Sequence, residues 1–281
     1  MSKFQGQTHH ETSIACSASP ETTRSWASGQ QIRPKPSEIR IGTSGWHYRS
    51  WHGPFYPAST RIKDFLAYYV AQFDTAEINN SFYRLPTENA VRAWREAAPE
   101  RFVFAWKVSR FITHMKRLKD IEDSIALVFG RMAGLREAFG PVLFQLPPTF
   151  RADPETRERV ARCLDLVPAR HRYAFEFRHP SWYDETALGL LRDHNAALCI
   201  SDHADAPAPW VTTADFVYVR AHGTNGRYAG SYSTETLEDW SRRVAAWRQE
   251  QRDVYVYFDN DIKSAAPGDA RRLLTLTGMP G

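Results

Sequence analysis

Glu176 and Arg178 close a strictly alternating stretch, Tyr173-Ala174-Phe175-Glu176-Phe177-Arg178. In an extended chain, successive side chains point to opposite faces. Tyr173, Phe175 and Phe177 therefore pack on one side, while the carboxylate and the guanidinium share the other. Pro180 ends the strand, because proline cannot continue a ladder. The pair leaves into a loop carrying His179 and Trp182. A carboxylate beside a guanidinium can hold a charged group or help to move a proton.

The same alternation recurs along the chain. In Thr75–Asn79, Ala76 and Ile78 take the apolar face and leave Glu77 and Asn79 opposite. Phe102, Phe104 and Trp106 oppose Lys107; Val142, Phe144 and Leu146 oppose Gln145. Arg220 and His222 oppose Val217 and Val219, and Tyr257 and Asp259 oppose Val256 and Phe258. At Ala197–Ser201 the pattern leaves two readings open, with either Asp202 or the Ser201/His203 side facing in. Each polar group falls at the end of its strand.

Eight such strands can be counted: Ile39–Ser44, Thr75–Asn79, Phe102–Val108, Val142–Leu146, Tyr173–Phe177, Ala197–Ser201, Phe216–Arg220 and Val254–Phe258. Helical periodicity fills the gaps at Arg61–Gln72, Glu88–Ala97, Asp120–Phe139, Pro154–Leu166, Glu185–His194, Thr234–Gln249 and Pro267–Leu276. Gly140-Pro141 reads as the stop of the third. Only the connection Asp202–Asp215, broken by Pro207 and Pro209, shows no clear helix. Strands alternating with crossover helices predict an α/β fold, a single (β/α)8 TIM-like barrel with its sixth crossover irregular. Residues 1–36, rich in Ser, Thr and Gln, read as a disordered leader, and 37–281 as the barrel domain.

With 42% hydrophobic and 13% aromatic residues, the 281-residue chain can build a sizeable core. A net charge of +4 permits an anionic ligand without demanding nucleic acid. Three unclustered cysteines argue against a disulfide framework and a cysteine zinc site. No apolar run reaches the ~18 residues of a membrane helix. The first residues lack the apolar core of a signal peptide, so a cytoplasmic location without membrane contact is expected. Gly42-Thr43-Ser44-Gly45-Trp46 does not match a dinucleotide fingerprint, and no nucleotide cofactor is expected.

Several motifs together resemble the YecE-like family, a domain of unknown function. They are Gly42-Thr43-Ser44-Gly45-Trp46, Glu77-Ile78-Asn79, Leu143-Phe144-Gln145-Leu146-Pro147-Pro148, Glu176-Phe177-Arg178-His179, Tyr218-Val219-Arg220 and Tyr257-Phe258 with Asn260-Asp261. The resemblance runs in order from Ile39 to the C-terminus and implies a TIM-like barrel. It implies no reaction. Asp259 stands where the family pattern leads one to expect asparagine, which adds a negative charge at the mouth.

The carboxyl ends of barrel strands are where such folds carry chemistry. Because unpaired buried ions are costly, the ring of charges should open to water. The expected function is an enzyme, a hydrolase, acting on a small anionic, phosphate-bearing substrate. Lys107, Arg178 and Arg220 would hold the anion, with backbone donors from His222–Arg227. Glu176, with Glu77, would handle the proton, assisted by His222 or His179. Asn79, Gln145, Arg110, Trp182, Tyr257 and Asn260 complete the expected substrate contacts.

Two alternatives stand beside this reading. Glu77 and Glu176 could serve a glycoside hydrolase. The basic run with Arg110, His114, Lys116, Arg117 and Lys119 could track a nucleic-acid backbone in a noncatalytic barrel. A divalent metal near His114, His179, His203 and His222 is compatible with the composition, but no spacing assigns its ligands. The oligomeric state is left open.

Overall fold

The computed structural model describes residues 37–279. The expected disordered leader, residues 1–36, lies outside them. Eight parallel strands follow the chain: β1 Ile39–Thr43, β2 Thr75–Ile78, β3 Val103–Lys107, β4 Phe139–Gln145, β5 Tyr173–Glu176, β6 Ala197–Ser201, β7 Phe216–Ala221 and β8 Asp253–Phe258. Their order is β1-β8-β7-β6-β5-β4-β3-β2, a nearly closed TIM-like barrel.

The helices between them are α1 Phe65–Val70, α2 Glu88–Ala97, α3 Glu122–Met132, α4 Pro154–Leu166, α5 Glu185–Asp193, α6 Thr234–Gln249 and α7 Ala265–Leu276. Four start on side-chain caps. Thr87, Asp153, Asp184 and Ser233 each accept the backbone N–H three residues on, satisfying a donor the helix itself cannot. The β6–β7 connection is irregular, as its prolines predict. Among the described residues no helix is long and apolar enough to cross a membrane.

Strand alternation sorts the core into two layers. Ile41, Phe104, Trp106, Phe144, Phe175, Val219 and Val256 pack outward, in the cluster shared with the helices. Ala105, Leu143, Ala174, Cys199, Tyr218 and Tyr257 form a smaller cluster inside the barrel. Small residues on β3, β5 and β6 leave room for the two tyrosines from β7 and β8.

Several element ends shift from the sequence reading, and two of the differences change the course of the chain. The expected helix Asp120–Phe139 ends at Met132 and tightens into a 3-10 turn, Ala133–Ala138, in which Arg136 takes φ 52°. Gly140-Pro141 does not precede the fourth strand but lies within it. The pairing Phe104↔Phe139 followed by Trp106↔Val142 leaves one extra residue on β4, a bulge that tolerates the missing proline N–H.

The seam between β1 and β2 closes differently from the others. One bridge joins Ser44 to Glu77, and Gly45 N–H donates to Glu77 O at 2.8 Å. Below it, the Tyr69 hydroxyl accepts Thr43 N–H at 2.9 Å and donates to Thr75 O at 3.0 Å. A phenol here replaces ladder bonds. The strands approach so closely that a Cβ on Gly42 would meet Thr75 O at 2.3 Å.

Candidate functional site

Arg220, on inward-facing β7, lies at the centre of the mouth with no exposed surface. Its Nε donates to both Glu77 oxygens at 3.1–3.2 Å. Nη1 donates to Glu176 Oε2 at 2.8 Å and lies 3.2 Å from His222 Nε2. Nη2 reaches Ser44 Oγ at 3.0 Å, Glu77 Oε1 at 2.9 Å and Asp259 Oδ2 at 2.8 Å. Every nitrogen of the guanidinium is therefore engaged, and its five N–H donors match this partner set.

The carboxylates are equally committed. Glu77 also accepts from the Ser44 hydroxyl and, at 2.6 Å, from the Tyr218 hydroxyl. Glu176 Oε1 takes Arg178 Nε at 2.8 Å. Burial opposes the charge on Glu176, but Arg178, Arg220, His222 and Lys107 outweigh it and hold the carboxyl well below its ordinary value. The expected wet ring is instead a closed ion cluster: Glu77, Glu176 and Arg220 are all fully buried. Mutual pairing, rather than water, offsets the desolvation.

His222 joins the cluster from the end of β7. Its Nδ1 lies 3.3 Å from Ser201 Oγ, and its backbone N–H donates to Asp202 Oδ1 at 2.6 Å. Of the two readings left open for β6, the Ser201/His203 side faces in, and Asp202 reaches His222 from the loop beyond the strand. Tyr232 anchors Asp202 by donating to its other oxygen. His203 packs against His222 at 5.2 Å; burial, then Arg178 and His222, lower its pKa to about 4.

Lys107, at the end of β3, is the exception. It is only 6% exposed, yet among the described residues its amine makes no ion pair or hydrogen bond. Its Nζ sits 4.3 Å from the centre of the Phe82 ring. Burial and then the Arg220 charge push its pKa down to about 8, against the pull of Glu176, Asp259 and Glu77. Lys107 lines a hollow of about 380 Å³ with Asn79, Asp259, Asp261, Tyr48 and Tyr228. Asn79 Oδ1 is buried there without a hydrogen-bond partner. Asp261 is raised to about 6, first by burial and then by Asp259.

The structure thus brings Glu77, Glu176, Arg178, Arg220 and His222 into one cluster, and places Lys107 and Asn79 in the adjoining hollow. The remaining expected contacts lie elsewhere or are occupied. His179 accepts Ser181 N–H at its Nδ1 and caps a short turn. Trp182 stacks on Phe177 at 4.1 Å in the core, its indole N–H bound to Phe150 O at 2.7 Å. Gln145 Nε2 donates to Leu146 O at 2.7 Å, and Asn260 Nδ2 to Gly230 O and Asp269 Oδ2 at 2.8 Å. Tyr257 lies deeper, its hydroxyl 2.8 Å from Thr75 Oγ1. Arg110 is exposed at the start of the turn Phe111–Met115.

In the loop after β7, the N–H groups of Gly223, Gly226, Arg227 and Tyr228 all bond within the protein. In the basic run, Lys116 donates to Asp120 O and Arg117 to Thr149. No group of three or more His, Cys, Asp or Glu placed to hold a metal ion occurs among the described residues.

Sequence reasoning gave no site role to Ser44, Tyr228 or Asp261. The signal for Ser44 was present, because Ile39 and Ile41 face the helices and the same parity turns Ser44 inward. The other two come from loops, where no period fixes direction.

Residues 40–280 match the family described as protein of unknown function DUF72. The chain is similar to the UPF0759 protein YunF of Bacillus subtilis, 26% identical over 272 residues, covering 85% of this chain and 94% of that one. It is also similar to the UPF0759 protein YecE of Escherichia coli, 24% identical over 252 residues, covering 81% and 88%. Among solved structures, a DUF72 family protein from Thermotoga maritima superposes with a TM-score of 0.79 at 27% identity, covering 86% of this chain and 99% of that one. Another from Enterococcus faecalis reaches 0.76 at 23% identity, covering 86% and 96%, a likeness of fold alone.

Proposed function

The chain belongs to the DUF72 family of proteins of unknown function, and we propose that it is an enzyme acting on a small anionic substrate in the hollow beside Lys107. The observation that carries this reading is the unpaired Lys107 amine in a cavity of about 380 Å³ at the carboxyl ends of barrel strands. A phosphate or carboxylate entering the hollow supplies the direct partner that the amine lacks. Arg220 contributes indirectly: it takes up Glu77, Glu176 and Asp259, which leaves the Lys107 amine unpaired.

Acid–base chemistry passes in this reading to Asp261, whose pKa of about 6 lets it hold a proton part of the time near neutrality. Glu176 is held ionised and has no proton to give. Hydrolysis of a phosphate-bearing substrate remains the reaction class to test first, with Asp261 activating the water. The buried free thiols Cys163 and Cys199 favour a reducing, cytoplasmic setting.

Calorimetric titration with small phosphorylated and carboxylated metabolites tests the reading. Binding should be present in the wild type, be largely retained in Lys107→Arg, which keeps the charge, and fall at least about tenfold in Lys107→Met. Equal affinities in wild type and Lys107→Met would remove the hollow as the binding site.

A further inference from the structure

We propose that Lys107 is a nucleophile that forms an imine with a carbonyl substrate carrying a hydroxyl on the neighbouring carbon. This rests on the reading of the hollow as a small-molecule site and specifies its chemistry.

Three features of the hollow converge on that ligand. First, Nζ has no acceptor, although Glu77, Glu176 and Asp259 are all close enough to influence its charge. Those carboxylates are turned to Arg220, with Glu176 shared by Arg178. An ammonium largely withdrawn from water without an acceptor costs free energy that the Phe82 face offsets only in part. That cost favours release of the proton, and the neutral amine so formed is the nucleophilic form. Second, Asn79 Oδ1 is a buried acceptor without a donor in the same hollow. An unmatched amine and an unmatched amide oxygen lining one hollow call for a ligand with an electrophilic carbon and an adjacent O–H. Third, Asp261 on the wall is a carboxyl able to carry and release a proton near neutrality.

The step balances within these groups. The Nζ lone pair forms the C–N bond while the carbonyl π pair moves to oxygen, which takes a proton from Asp261. The proton shed by nitrogen returns to the carboxylate, giving a neutral carbinolamine. Asp261 then passes it to the hydroxyl, which leaves as water while the nitrogen lone pair forms the C=N bond, so that a protonated imine and an ionised Asp261 remain. No oxidant or reductant enters.

Titratable groups around the amine are Glu77 from β2, Glu176 from β5, Arg220 from β7, Asp259 beyond β8 and His114 from the loop after β3, with Tyr48, Tyr228 and Asp261 on the wall of the hollow. With its pKa near 8 rather than 10.5, Lys107 presents on the order of a hundredfold more free amine at pH 7 than an ordinary lysine.

Borohydride trapping on the full chain reads this directly. Protein is incubated with dihydroxyacetone, dihydroxyacetone phosphate or pyruvate, reduced, and mapped by peptide mass spectrometry. Expected is an adduct at Lys107 well above that at any other lysine, its rate rising with pH through about 8. The hydroxy ketones should label faster than pyruvate, and Asn79→Ala should narrow that gap. Lys107→Arg should lose the adduct while keeping anion binding. Adducts confined to other lysines, with anionic ligands still bound in a Lys107-dependent way, would overturn the imine and leave the proposed function standing. Absence of both adduct and Lys107-dependent binding would overturn the two together.

Discussion

Arg220 and Lys107 are both buried cations at the mouth of one barrel, and the fold treats them in opposite ways. Arg220 has every nitrogen engaged, with three carboxylates and a serine around it. Among the described residues the Lys107 amine has no hydrogen-bond or ion-pair partner, only the face of Phe82. The guanidinium's planar fork suits a hub that ties strands together, and it stays charged under any ordinary condition. The ammonium is a point charge that gives up its proton when desolvated. The difference divides the mouth into a structural floor and a chemically unsatisfied hollow beside it.

The largest test of that division removes the hub. Arg220→Leu leaves Glu77, Glu176 and Asp259 buried without their shared cation. We expect a loss of about 3–5 kcal/mol in denaturant unfolding or failure to fold, and a loss below about 1 kcal/mol would break the comparison. Glu176→Gln should cost somewhat less, about 3 kcal/mol near neutrality. Its pH dependence follows from a folded-state pKa held well below 4.5. The carboxylate's contribution is fully present above 4.5 and fades as pH falls toward the folded value. Unfolding curves below that pH should therefore be flatter for Glu176→Gln than for wild type.

For Lys107 the sign reverses. A base whose folded pKa is lowered to about 8 binds more protons unfolded, so stability rises with pH between about 8 and 10.5. The rise should be roughly 1–3 kcal/mol in the wild type and absent in Lys107→Met, which should be no less stable at pH 7. The smallest effect is expected of Asp259→Asn. Asp259 supports the charge on Lys107, so its removal should move the midpoint of the Lys107 trapping profile below about 8. A midpoint moving upward would show that Asp259 does not face the amine.

Strand alternation made much of this architecture legible. The parity of Phe104 and Trp106 turned Lys107 inward, and that of Val217 and Val219 did the same for Arg220. What parity cannot show is whether polar ends meet one another. Glu77 and Arg220 are separated by 143 positions, and nothing local indicates that one clasps the other. Water therefore stood in for partners that only the closed barrel provides. Loop residues such as Asp261 and Tyr228 carry no period, so their approach to Lys107 was equally hidden. The helix expected to run to Phe139 was misread because apolar spacing continued past Met132, while the backbone turned at Arg136.

The junction fastened by the Tyr69 phenol also has a mechanical side. Gly45 and Tyr48, just past β1, and Asn79, just past β2, border the hollow. The cavity thus straddles the pair of strands with the fewest direct backbone links. Prising them apart breaks a tyrosine clasp and a short bridge, where other neighbouring strands would have to surrender a run of amide bonds. The cylinder is easiest to unzip at the place where a ligand would need elbow room.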